Sequence, residues 1–154
     1  MFGGIEPTRG GGADEGSVGG GEGRRNAPTG NAPTVLIVED ERVARCALAS
    51  LLDRSGFDAH AHESAEDALR DIEHGCNAEI ALVDIDLPGM SGLDLIQRLE
   101  EKKPGLVAIV ISAAGGERVD SFRRQHDVHY FRKPVDFPRL LSLLESTAAH
   151  HPPC

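Results

Sequence analysis

The sequence predicts an α/β domain, a doubly wound five-stranded parallel sheet with helices on both faces. Three observations carry that prediction. The runs Val35–Val38, Ile80–Val83 and Leu106–Ile111 are wholly apolar and bounded by polar or turn residues, the pattern of strands buried on both faces. Segments with apolar residues at helical spacing alternate with them. The links are short, and such alternation gives parallel strands joined by right-handed crossovers. A chain of 154 residues suffices for one domain with a core of ordinary size.

Taken in order, residues 1–33 stand outside the fold. Eleven of them are Gly and three are Pro, and large apolar residues are scarce. Such a segment cannot offset its ordering entropy and is expected to be a flexible tail, in which Arg24-Arg25 serve solubility. The folded region is expected over 34–149. Its first strand, Val35–Val38, ends in Glu39-Asp40-Glu41, and Val43, Ala47, Leu48, Leu51 and Leu52 then recur at helical spacing up to Ser55-Gly56. Phe57–His62 alternates as a weaker strand. Ser64 followed by Asp67 marks a helix start, with Ala65, Ala68, Leu69 and Ile72 on one face. The Ile80–Asp84 strand is followed by the turn Leu87-Pro88-Gly89 and a helix carried by Leu93, Ile96 and Leu99, which Lys102-Lys103-Pro104-Gly105 ends with cations where the macrodipole prefers them. After Leu106–Ile111 and Ser112 comes a thin helix over 118–126, anchored by Val119 and Phe122. Val128–Phe131 is a short strand leading to Arg132-Lys133-Pro134. Phe137, Leu140, Leu141, Leu144 and Ala148 make the last helix, and residues 150–154 are a short C-terminal tail.

Composition narrows the function classes. No run approaches the roughly 20 apolar residues of a membrane span. The start, Met1-Phe2-Gly3-Gly4-Ile5-Glu6, has neither the basic nor the apolar segment of a secretory signal. Cys46, Cys76 and Cys154 are odd in number, far apart and in no C-x-x-C pattern, so neither a disulfide framework nor a zinc site is expected and the cytoplasm is the natural compartment. A net charge of −9 argues against nucleic acid as a partner, since that affinity comes mainly from clustered Lys and Arg. No membrane partner is expected either.

The C-terminal ends of parallel strands lie on one edge of the sheet, where open α/β sheets place their ligands. Strand one brings Glu39 and Asp40 there, strand three Asp84, strand four Ser112 and strand five Lys133. Each suits phosphoryl chemistry. Clustered carboxylates repel one another and favour a hard divalent cation, for which Mg²⁺ is the natural choice. One carboxylate is able to act as a nucleophile toward phosphorus, while an ammonium and a hydroxyl stabilise the transferred group. Taken singly, each residue has a plainer reading. The acidic run would be a helix start, Ser112 a turn residue, Lys133 a surface charge and Tyr130 a core aromatic. Coincidence at four strand ends is what favours a site.

The segments VLIVEDE (35–41), ALVDIDLPGMSGLDL (81–95), VAIVISA (107–113) and YFRKPVD (130–136) resemble the receiver domain of two-component response regulators, in the right order and at family-like spacing. The resemblance implies a flavodoxin-like sheet of strand order 2-1-3-4-5. It makes Asp84 the phosphoacceptor, Glu39 and Asp40 the acidic pair for Mg²⁺ and Asp86 a further metal ligand through its backbone carbonyl. Ser112 becomes the switch hydroxyl, Lys133 the family's lysine, Tyr130 the aromatic that turns inward on activation, and Lys133–Pro134 a cis peptide. A histidine kinase or histidine phosphotransfer protein is the implied donor. With no output domain expected after residue 149, the implied output is a downstream protein bound at the face of the fourth helix, fifth strand and fifth helix, where Arg118, Arg123, Arg124, Arg132 and Arg139 fall.

Three departures bear on this. Glu39 stands where Asp is usual, Asp86 adds a carboxylate two residues past the phosphoacceptor, and Gln125-His126-Asp127-Val128-His129 replaces a small Gly-Ala pair. His60 and His62 are expected to be a solvated face of an edge strand rather than a metal site. Two other classes stay open: an interaction module with this fold but no phosphoryl cycle, and a phosphatase-type enzyme. The lack of a Gly-rich phosphate loop after strand one argues against the enzyme.

Overall fold

The computed structural model describes residues 32–113 and 116–149. The expected Gly-rich segment lies outside them except for its last two residues, and so does the 150–154 remnant. Five strands, β1 (Thr34–Val38), β2 (Asp58–His62), β3 (Ile80–Asp84), β4 (Val107–Ser112) and β5 (Val128–Arg132), alternate with five helices. The helices are α1 (Arg42–Arg54), α2 (Ala65–Glu73), α3 (Gly92–Lys102), α4 (Glu117–Gln125) and α5 (Phe137–Ala149). The strands form one parallel sheet in the order β2-β1-β3-β4-β5, as the resemblance implies.

Period-two alternation divides the apolar strand residues between two cores. Val35 and Ile37 on β1, Ile80 and Leu82 on β3, Ile109 and Ile111 on β4 and Phe131 on β5 face the layer of α1 and α5, where Leu52, Leu140 and Leu144 are buried. Leu36, Val38, Ala81, Val83, Ala108 and Val110 face the opposite layer of α2, α3 and α4. The central strands are apolar on both faces because both are covered. Ser64 caps α2 by accepting the Asp67 amide at 3.1 Å, and Ser91 caps α3 through Asp94 at 3.2 Å.

The inner face expected for the first helix needs correction. Val43 is 73% exposed, and Ala47 is exposed as well, so neither belongs to the core. The inward stripe of α1 runs through Arg45, Leu48, Ala49 and Leu52, which places Val43 and Ala47 on its outer flank. The thin helix α4 does bury only Val119 and Phe122, but His126 stacks on Phe122 with centroids 4.0 Å apart and bonds Glu100 of α3 at 2.9 Å.

Candidate functional site

The β1 and β3 ends are hydrogen-bonded neighbours, with Val38 opposite Val83 in register. The next residue on each strand is a carboxylate, and both are buried: Glu39 at 2% exposure and Asp84 at 5%. Asp40 is exposed beside them, and carboxylate oxygens of Glu39, Asp40 and Asp84 lie within 4.8 Å of one another. Buried like charges at that spacing need a cation. Lys133 supplies one: its Nζ donates to Glu39 Oε1 at 2.8 Å and to Asp84 Oδ2 at 2.9 Å.

Protonation follows from this geometry. Burial raises the Glu39 carboxyl above its ordinary value, only partly offset by the hydrogen bonds from Lys133 and the Glu41 amide. Burial on its own would lower Lys133, but the hydrogen bonds and charges of Glu39 and Asp84 outweigh it and hold the ammonium above its ordinary value. Lys133 is therefore a fixed positive charge at neutral pH.

Backbone groups fix the rest. The Asp86 amide donates to Asp84 Oδ1 at 2.9 Å, which sets the plane of that carboxylate, while the Asp86 side chain is exposed. The Glu41 amide donates to Glu39 Oε2 at 3.1 Å, orienting the longer side chain so that its other oxygen reaches Lys133. Ser112, 1% exposed, ends β4 and accepts the Lys133 amide through its backbone carbonyl at 2.8 Å, on the strand that pairs with Asp84. The Lys133–Pro134 peptide is cis. Tyr130 packs on the α2–α4 side with its hydroxyl buried and without a hydrogen-bond partner among the described residues, and the Arg123 guanidinium lies 5.8 Å from its ring centroid.

Glu39, Asp40, Asp84 and Lys133 thus converge. Tyr130 stands apart on β5, and the Asp86 carboxylate is not in the acidic cluster. Two residues that support the site were not singled out from the sequence. Arg45 Nη1 donates to the carbonyls of Glu39 at 3.0 Å and Asp40 at 3.3 Å, tying α1 to the acidic pair. Gly92 begins α3 so close to β3 that a Cβ there would lie 2.3 Å from the Asp84 carbonyl oxygen. The Ser-Gly pair at a helix start was the available signal. An all-oxygen set with two members buried fits a hard divalent ion.

Residues 35–145 match the family model described as the response regulator receiver domain. The chain belongs to that family. This receiver domain is accordingly a module of two-component signal transduction. The transcriptional regulatory protein TdiR of Thauera aromatica is 39% identical over 122 residues, 79% of this chain and 53% of the relative. The chain spans less than two thirds of the length of such curated relatives, from 10% to 57%. A response regulator receiver protein from Pseudomonas putida is 30% identical with a TM-score of 0.70, over 75% of this chain and 97% of that one. The response regulator TrrA of Thermotoga maritima, solved in complex with Mg(2+)-BeF, is 28% identical with a TM-score of 0.67, over 75% and 98%. Among the described residues no helix is long and apolar enough to cross a membrane.

Proposed function

We propose that this receiver domain accepts a phosphoryl group onto Asp84 from a phosphohistidine, carried by a histidine kinase or a histidine phosphotransfer protein, and that this changes a protein-docking face. The observation that carries the reading is the buried Asp84 carboxylate, pinned by the Asp86 amide and the Lys133 ammonium beside two further carboxylates. An Asp84 oxygen attacks phosphorus. The O–P bond forms as the N–P bond to the donor imidazole breaks, and the imidazole nitrogen keeps the electron pair. Lys133, held positive, balances charge on the transferred group, and Ser112 at the end of β4 offers its hydroxyl to a phosphoryl oxygen.

Glu39, Asp40 and Asp84, with the Asp86 backbone carbonyl, would hold Mg²⁺, as the complex of TrrA with Mg(2+)-BeF supports. When bound, the ion supplies charge neutralisation for the transferring phosphoryl oxygens. The chemistry is that of a signalling acceptor with self-dephosphorylation, not of an enzyme turning over a separate substrate, and the cytoplasm is its compartment. The output face comprises α4, β5 and α5, where Arg118, Arg123, Arg124, Arg132 and Arg139 are exposed.

The test is intact-mass measurement after incubation with Mg²⁺ and acetyl phosphate. One phosphate adduct is expected, absent in Asp84→Ala. A folded protein that gains no adduct would instead be an interaction module without a phosphoryl cycle.

A further inference from the structure

On the far side of β1 from the acidic cluster, the edge strand β2 builds a second group of ligating side chains. His60 and His62 are two residues apart and point the same way, toward α2. Asp71 comes from the last turns of α2. Just past that helix, Gly75 takes a left-handed φ of +106°, and the turn brings Cys76 back over β2. His60 and His62 are therefore not the solvated face expected of them. His60 Nδ1 lies 3.0 Å from Asp71 Oδ2 and 3.7 Å from Cys76 Sγ, and His62 Nε2 lies 2.9 Å from the same Asp71 oxygen. The His60, Asp71 and Cys76 ligand atoms fall within 4.8 Å of one another.

The orientation of the His60 ring is informative. Its outer nitrogen, Nε2, faces Asp58 Oδ2 at 3.3 Å and Nδ1 faces Asp71 Oδ2 at 3.0 Å, so a ring proton has a carboxylate acceptor on either side. With the proton on Nε2, held by Asp58, Nδ1 turns its lone pair toward Asp71 Oδ2 and the Cys76 sulfur. Two electron pairs at 3.0 Å repel unless a cation lies between them. A ring proton is one such cation, and a metal ion is another. A carboxylate behind one imidazole nitrogen with ligand atoms in front of the other is the arrangement that orients metal-bound histidines. Tetrahedral bonds of about 2.1 Å to N or O and about 2.3 Å to S set donors about 3.4–3.6 Å apart, within a few tenths of an ångström of these separations.

We propose that His60, Asp71 and Cys76 form a binding site for a borderline-soft divalent transition ion such as Zn²⁺, with water completing the tetrahedron. Asp58 orients the His60 ring and His62 holds the Asp71 carboxylate. Nitrogen, oxygen and sulfur donors distinguish this site from the all-oxygen cluster at Asp84, which suits Mg²⁺. In the metal-free cluster, burial and then the charges of Asp71 and Asp58 push the Cys76 thiol up to about 11. Metal uptake thus replaces S–H by an S–metal bond and releases that proton to water.

Co²⁺ is the probe, titrated into the full chain under reductant with Mg²⁺ in excess to occupy the oxygen site. A thiolate-to-cobalt charge-transfer band with strong tetrahedral d–d absorption is expected, saturating at one equivalent and bleached by Zn²⁺. Cys76→Ser should abolish the charge-transfer band, Asp58→Asn should weaken affinity about tenfold or more, and Cys46→Ser, Cys154→Ser and Asp84→Asn should leave the band in place. Circular dichroism checks that each variant is folded. If Cys76→Ser does not fold, the Cys46→Ser/Cys154→Ser double variant, in which Cys76 is the sole thiol, decides the matter by the same band. No band in the wild type, or one that survives in folded Cys76→Ser or is lost in Asp84→Asn, overturns the proposal.

Discussion

Lys133 joins two nearly inaccessible carboxylates with one ammonium, and its removal leaves both buried and unpaired. Breaking a buried ion pair costs about 3–5 kcal/mol. The Lys133 side chain is 29% exposed, so solvent screens part of this and a loss of about 2 kcal/mol is expected for Lys133→Met. Urea denaturation without Mg²⁺ should show it, and the loss should shrink when Mg²⁺ is added as an alternative cation. A Lys133→Met variant as stable as wild type would mean that water reaches and solvates both carboxylates. Tyr130 presents the opposite case. Its hydroxyl is buried without a partner among the described residues, and such a group costs about 1–3 kcal/mol. Tyr130→Phe should therefore hold or raise the urea midpoint at unchanged m-value. A drop of more than about 1 kcal/mol would reveal a hydrogen bond to an ordered water. The sequence named both residues but not their partners. That Lys133 reaches Glu39 and Asp84 depends on three strand ends meeting, and pairing is not visible along the chain.

At the scale of elements, legibility followed burial. β1, β3 and β4 are covered on both faces, so their composition alone marks them, and the cap of α2 is local enough to read. Amphipathic elements were harder. In α1 the inward stripe includes Arg45, whose charged end bonds backbone carbonyls, so apolar spacing alone selects the exposed Val43 instead. On β2 the inward residues are histidines that find Asp71 nine and eleven residues later, a satisfaction that polarity alone disguises as solvation. Gly92 was missed because close approach leaves no mark beyond the glycine itself. A Cβ at Gly92 would meet backbone at 2.3, 2.8 and 3.0 Å, from Asp84 and Ile85, which no rotamer change relieves. Gly92→Ala must push α3 off β3, at about 3 kcal/mol by analogy with overpacked cores. It should also lower the phosphate adduct yield, because the displaced backbone carries Asp84. A stability change below about 0.5 kcal/mol would show that α3 slides without disturbing β3.

For the whole molecule, the acidic cluster links folding to metal. A site assembled from β1 and β3, whose carboxylates are some 45 positions apart in the sequence, exists only in the folded chain, so Mg²⁺ binds the native state and stabilises it by mass action. Above the dissociation constant, each tenfold rise in Mg²⁺ adds about 1.4 kcal/mol. For a folded region of this size that is about 4–6 °C in Tm. Net charge complicates the measurement, because a chain at −9 also gains stability from simple screening of its self-repulsion. NaCl at matched ionic strength isolates the site, and the excess of Mg²⁺ over NaCl is the specific part. That excess should climb with the logarithm of Mg²⁺ in the wild type and vanish in Asp84→Asn, which removes a ligand charge while keeping the shape of the side chain. Glu39→Asp should retain it with an altered midpoint, since the shorter arm keeps the charge but moves it by one methylene. Equal shifts with the two salts would mean that Lys133 already satisfies the cluster and that Mg²⁺ is only part of the ion atmosphere.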